Sequence, residues 1–334
     1  MLGLHSLTLV ATGRIQFGNG MTSYTQLLAI TLPVFALFAL GVAVRRAQWL
    51  TEAAETSLLK LIVNLLYPCL ILKSVLGNAA LRDPASLMVA PLLGFGTILV
   101  GMAVGYYVGR ALGLSVGHGL RTFAFAVGIY NYGYIPIPLV QSLWGTEHVG
   151  VLLVYNVGIE LALWTVGLLL LAGLPPRAGW KKIANPVVLT LVVGVALNTL
   201  RLELPGVVLT VVDLLAACAI PLGLLAAGAA VDPFLKKPLD LVDARVTTGA
   251  CLLRLGVLPL AFLMFARFVP LTLELKRVLV IQAAMPAGML PLVIARHYGG
   301  QPLTAAQIIV ATTALGLFLI PLWLAFGLHW VGVG

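Results

Sequence analysis

In a chain as apolar as this one, the residues able to do chemistry are the polar ones stranded inside apolar runs. Glu160, in "VYNVGIELALW", and Arg254, in "GACLLRLGVL", are the two that lie near the centre of such a run. At the middle of a membrane-spanning helix a charge costs at least about 2.5–3.5 kcal/mol, so each needs a reason to be there. Three uses are open. The two form a structural ion pair; the planar fork of Arg254 grips a carboxylate of a bound molecule; or Glu160 carries a proton. Asn156 stands one helical turn before Glu160, on the same face. Lys60, Lys73 and Asp213 lie nearer run ends and are expected to reach the interface.

A second constellation is made of helix breakers. "NYGYIPIPL" (131–139) and "QAAMPAGMLPL" (282–292) each put prolines inside an apolar run. Pro136 and Pro138 remove two backbone donors and exclude the carbonyls of Tyr132 and Tyr134 from helical pairing; Pro286 and Pro291 do the same to those of Gln282 and Ala287. An unpaired backbone group in hydrocarbon costs several kcal/mol, so such breaks persist only inside protein or beside a wet cavity. Each break leaves two half-helices. The second offers N–H groups and a positive dipole end suited to a carboxylate, the first offers carbonyls suited to a cation or a proton donor. Asn131 adds an amide at the break itself, and Tyr130, Tyr132 and Tyr134 add phenols. Matched breaks in two halves of a chain point to a midplane binding site. The candidate substrate contacts are therefore Asn131, Tyr132, Gly133, Tyr134, Pro136, Pro138, Gln282, Met285, Pro286, Ala287, Gly288, Pro291 and Arg254, with Glu160 and Asn156 as candidates for proton or ion coupling.

Other chemistries find no residues to perform them. Cys69, Cys218 and Cys251 all fall in apolar runs, and His5, His118, His148, His297 and His329 are scattered, so no metal or disulfide framework is expected. There is no His-Glu-x-x-His helix, no pair of intramembrane aspartates and no Ser/His arrangement, so an enzyme is not expected.

The elements that would position these groups follow from composition. Of 334 residues, 61% are hydrophobic and 9% charged, against about 25% charged in a soluble domain. Apolar runs of about 20 residues suffice to cross a bilayer as helices, and the alternation of an outer-membrane barrel is absent. Ten spans are expected, at 25–44, 53–77, 86–109, 119–143, 148–173, 185–200, 206–229, 244–266, 275–297 and 303–328. Residues 1–24 read as a leader and 174–184 as a cytoplasmic linker, separating 25–173 from 185–334, five spans each. Pro33, Gly41, Pro68 and Pro138 each find the same residue type at one constant offset, at Pro186, Gly194, Pro221 and Pro291. A repeat of five spans re-enters the membrane from the opposite face, so the second copy is inverted. The net charge of +9 reflects topology and not nucleic-acid binding. Arg45, Arg46, Arg110, Arg121, Arg177, Lys181, Lys182, Lys236, Lys237, Arg245 and Arg296 fall on one side, against Arg14, Arg82, Arg201, Arg267, Lys276 and Arg277 on the other. The first side is therefore expected in the cytoplasm and both termini outside an inner membrane.

These motifs carry a resemblance. Asn131-Tyr-Gly-Tyr-Ile-Pro-Ile-Pro138 resembles the Asn-x-Gly-Phe-x-Gly-x-Pro signature in span 4 of the auxin efflux carrier family. "AAMP", "ARHYGG" and "ATTALGLFLIPL" are similar to its last two spans, and "NPVVLTLVVGVALN" and "AIPLGLLAAGAAVD" to its spans 6 and 7. The resemblance implies the bile-acid-symporter-like fold, all-α, with ten transmembrane helices in two inverted repeats and broken helices 4 and 9 crossing. It also implies a scaffold of helices 1, 2, 6 and 7, a transport unit of helices 3–5 and 8–10, and a homodimer through the scaffold. Bacterial members move organic anions such as malate or malonate, and plant members move auxin. Two departures stand out: the signature's second glycine is Pro136, and Gly288-Met289-Leu290 is apolar where the family often has a polar residue. The expected activity is alternating-access transport of a small organic anion, with a cation/proton antiporter of related fold as the rival. No cofactor is expected, and sodium or a proton is the candidate coupling ion.

Overall fold

The computed structural model describes residues 23–82, 84–173, 185–236 and 243–334; the expected leader and linker thus lie outside the described residues, but for 23 and 24. The described residues are helical, with only isolated bridges in place of strands. Among the described residues, seven helices are long and apolar enough to cross a membrane. They are α1 (Tyr24–Arg46), α2 (Glu52–Val75), α3 (Pro84–Ala111), α6 (Glu147–Ala162, carried on to Ala172), α8 (Gly206–Leu235), α9 (Ala244–Phe268) and α12 (Pro302–Val331). Between them stand the shorter α4 (Leu120–Gly128), α5 (Pro136–Trp144), α7 (Pro186–Thr199), α10 (Leu273–Ala283) and α11 (Leu290–His297).

Helix ends are set by local chemistry. Ser23 and Gln26 form a reciprocal capping box on α1, and Thr51, Asn185, Asp243 and Thr272 cap α2, α7, α9 and α10 with their side-chain oxygens. Inside the long helices, α2, α6 and α9 each contain a π turn, over Ile62–Leu66, Leu163–Gly167 and Leu253–Val257. Glu160 lies just before one of these widened turns and Arg254 within another, and such turns re-aim side chains.

Close packing follows small residues, as it must where lipid supplies no hydrophobic drive between helices. On α8, a Cβ at Gly228 would collide with the Phe38 carbonyl of α1. On α6, a Cβ at Gly158 would collide with the Pro91 carbonyl of α3. The pairs α1/α8 and α3/α6 are thereby held backbone to backbone.

Two expectations need correction. Helix α8 runs to Leu235, beyond the expected end at 229. Asp232, beyond that expected end, is fully buried and matched by Arg46 Nε at 2.8 Å and Lys236 Nζ at 3.6 Å, so the helix continues past it. The offset pair Pro33 and Pro186 does not occupy like places, since Pro33 is inside α1 and Pro186 opens α7. Pro138 and Pro291 do, each in the first turn of a half-helix. Lys73 and Asp213 meet at 3.1 Å, both well exposed.

Candidate functional site

The two proline-bearing runs are interrupted helices, and their interruptions meet. Helix α4 ends at Gly128 and α5 begins at Pro136; α10 ends at Ala283 and α11 begins at Leu290. Between the two gaps the main chains pair antiparallel at Tyr130 and Ala287. Asn131 N donates to Pro286 O at 2.8 Å, and Gly288 N donates to Ile129 O at 2.9 Å. A side chain at Gly288 would place its Cβ 2.8 Å from Tyr130 O, which explains the glycine. Ala287 N donates to Thr312 Oγ1 of α12 at 3.2 Å. Groups that a break in hydrocarbon would orphan are thus satisfied by the other break.

Arg254 serves the second interruption from α9. Its Nε donates to Met285 O at 2.8 Å, and Nη2 donates to Gln282 O at 3.0 Å and Ala283 O at 3.3 Å. The guanidinium lies 4.7 Å from the Tyr130 ring centre and 5.5 Å from that of Phe262. The cation expected at the freed carbonyls of the first half-helix is therefore supplied by the chain itself. Arg254 is fully buried, so it does not present its fork to a guest in this conformation.

Glu160 and Arg254 do not pair, which corrects the simplest use for two charges. Glu160 Oε1 accepts from the Tyr132 hydroxyl and Oε2 from Trp164 Nε1, both at 2.7 Å. A chain of amides links the two charges instead. Asn156 Nδ2 donates to Tyr132 O at 2.8 Å, Gln282 Nε2 donates to Asn156 Oδ1 at 3.2 Å, and Gln282 O receives Arg254. Nearby, the hydroxyls of Thr97, Tyr130 and Tyr155 lie 2.8–2.9 Å from one another.

The expected cradle of main-chain N–H groups at the start of α5 is largely absent. Pro136 and Pro138 have no N–H, Ile137 N donates to Gly133 O and Leu139 N to Ile135 O. Ile135 N donates to Asn131 Oδ1 at 3.2 Å. That last bond orients the Asn131 amide and leaves its Nδ2 donor without a partner among the described residues.

Asn131 opens onto a cleft between the crossing and the pair α1/α8. Tyr134, Ile135 and Met289 line it from the interruptions, and Val34, Phe35 and Phe38 from α1. Leu224 and Ala227 of α8 and Thr313 of α12 complete it. Of the residues expected to touch a substrate, Asn131 and Tyr134 line this cleft. Met285, Pro286, Ala287 and Gln282 are buried in the crossing, Tyr132 serves Glu160, Gly133 faces the Tyr67 hydroxyl, and Pro136, Pro138, Gly288 and Pro291 shape the backbone. Thr313, Phe35 and Met289 escaped the sequence reading. A threonine, a phenylalanine and a methionine within apolar runs carry no mark that separates cleft from lipid.

Comparison with known proteins bears on what such a cleft serves. A family model described as "Membrane transport protein" matches residues 27–177 and 174–324. An uncharacterized transporter of Methanothermobacter thermautotrophicus is 26% identical over 302 residues, covering 87% of this chain and 95% of that protein.

Proposed function

This chain belongs to the membrane transport protein family, that of the auxin efflux carriers, and on that premise we propose that it is a secondary carrier of a small organic anion. It is a multi-pass membrane protein with apolar helices. The observation that supports an anion as cargo is the Asn131 Nδ2 donor, unpartnered, at the positive end of α5 and facing a cleft between two helix groups. Asn131 and Thr313 would supply donors for one carboxylate, and among the described residues no basic side chain lines the cleft. The walls of Phe35, Phe38, Tyr134 and Met289 suit an apolar body. This favours a monocarboxylate such as an auxin-like acid over malate or malonate, whose second carboxylate would be left unpaired.

The proposed architecture is ten spans in two inverted repeats, with α4/α5 and α10/α11 as broken spans 4 and 9. Its support is reciprocal packing: α1 meets α8 at Gly228, and α7 meets α2 where Gly194 lies against Val75 and Leu72. Helices α1, α2, α7 and α8 would form the scaffold, which the resemblance also makes the dimer contact. The rest would rock against it, opening the cleft to either side of the inner membrane, with both termini outside. The rival antiporter is disfavoured because Arg254 already occupies the carbonyls where a cation would sit.

The test is uptake into proteoliposomes of mandelate, indole-3-acetate, malate and malonate. Monocarboxylates are expected to be taken up and, for the one transported best, Asn131→Ala is expected to weaken binding about 10-fold or more by calorimetry, the loss of one hydrogen bond to a charge (about 1.5–3 kcal/mol). Uptake of none of the four, or unchanged binding in the variant, would remove the reading.

A further inference from the structure

Resting on the anion-carrier reading, we propose that each monovalent anion is moved together with one proton, and that Glu160 binds that proton. The inference starts from a charge count at the crossing. Arg254 holds a permanent positive charge there, fully buried, with only carbonyl oxygens and ring faces as partners. Glu160 holds the neighbouring negative charge, with two neutral donors as partners and no cation. The amide chain through Tyr132, Asn156 and Gln282 ties both to the same two interruptions. Unloaded, with Glu160 ionised, this unit is neutral. An incoming monovalent anion makes it negative, and one proton on Glu160 makes it neutral again. Low-dielectric surroundings favour the two neutral forms, so only those two reorient readily.

The site is built to hold either protonation state. Trp164 Nε1 is a donor only, and it serves Oε2 in both. The Tyr132 hydroxyl, on Oε1, is both donor and acceptor. It donates to the carboxylate, and on protonation the new Glu160 O–H donates to the Tyr132 oxygen. The proton arrives from water on one face and leaves to water on the other, so no bond other than O–H forms or breaks. Glu160 is partly exposed among the described residues, so its carboxyl is not sealed inside the crossing as Arg254 is.

Among the described residues, Tyr132 is the one ionisable side chain bonded to Glu160. On the helices packed against α6, Lys73 of α2 is engaged by Asp213, Arg277 of α10 by His148 and the Val333 carbonyl, and Arg110 sits in the last turn of α3. The Tyr67 ring of α2 lies tilted against that of Tyr134, 6.1 Å between centres, and Glu274 occupies the first turn of α10.

The experiment uses the full chain in proteoliposomes with labelled mandelate, the membrane potential being clamped by potassium and valinomycin. An inward gradient of about one pH unit is expected to support up to about tenfold accumulation, and imposed potentials are expected to leave the flux unaltered. Glu160→Gln fixes the site in its neutral form. The variant is expected to lose proton-driven accumulation, yet still exchange internal unlabelled for external labelled mandelate, because the loaded unit remains neutral. Flux that follows the potential and ignores the pH gradient overturns the proposal in the wild type alone, even if the variant does not fold. Proton-driven accumulation by Glu160→Gln also overturns it, as does loss of exchange in a variant that purifies as a monodisperse species. Absence of exchange by the wild type, for every acid in the panel, defeats the carrier reading itself. Exchange without a proton response defeats this inference only.

Discussion

At the scale of single residues, Arg254 decides how the crossing holds together. Three carbonyls of the α10 end, those of Gln282, Ala283 and Met285, accept from one guanidinium, and of these Gln282 O also accepts from Met285 N at 3.3 Å. Leaving a buried acceptor without its donor costs about 1–3 kcal/mol. Arg254→Ala is therefore expected to insert into the membrane, to melt at a lower temperature in detergent and to show no uptake. A variant with wild-type melting and wild-type kinetics would contradict this. Sequence made the importance of Arg254 legible, because a charge amid apolar residues needs a partner. It did not reveal the partner, since main-chain carbonyls freed by a distant proline leave no trace in residue type. The same gap kept a pairing with Glu160 among the open uses: two lone opposite charges invite a bond, but Tyr132 and Trp164 lie within reach of the acid.

At the scale of elements, glycine and proline were the most readable signals. Pro136, Pro138, Pro286 and Pro291 located both interruptions because a missing N–H cannot be restored by context. The donors left over were harder to foresee. Two prolines in the first turn of α5 strip the helix end that was expected to hold the anion, and in the proposed reading the Asn131 side chain takes its place. Glycines separate into two kinds only in three dimensions. Gly158 faces the Pro91 carbonyl, whereas Gly96, on the partner helix α3, has nothing within 4 Å. Gly96→Ala is expected to raise stability by up to about 1 kcal/mol through helix propensity. Gly158→Ala is expected to lower it by about 1–3 kcal/mol, because α3 and α6 must separate to admit the methyl group. Thermal unfolding of the two purified variants checks both signs; equal shifts would mean that the α3/α6 approach is not tight.

At the scale of the whole molecule, the cleft lies where the crossing meets α1 and α8, so the proposed transport cycle would have to change that contact. Phe35 on α1 and Met289 at the second interruption line it from opposite sides. With Cys69, Cys218 and Cys251 replaced, joining Phe35→Cys to Met289→Cys by a short bis-maleimide is expected to stop uptake, while either single variant treated alike continues. Undiminished flux through quantitatively joined protein would place the moving boundary elsewhere. The proposed five-and-five division rests on constant offsets, and the sequence could not say which helices touch. The main-chain bonds from Asn131 to Pro286 and from Gly288 to Ile129 tie the two interrupted runs together. This has a consequence for biosynthesis. A nascent chain releases residues 129–131 into the bilayer while the acceptors and donors around 286–288 are still to be translated, so the early portion cannot complete its own bonding. Maturation must then wait for the late portion, and two separately synthesised fragments should complement each other inside the same membrane.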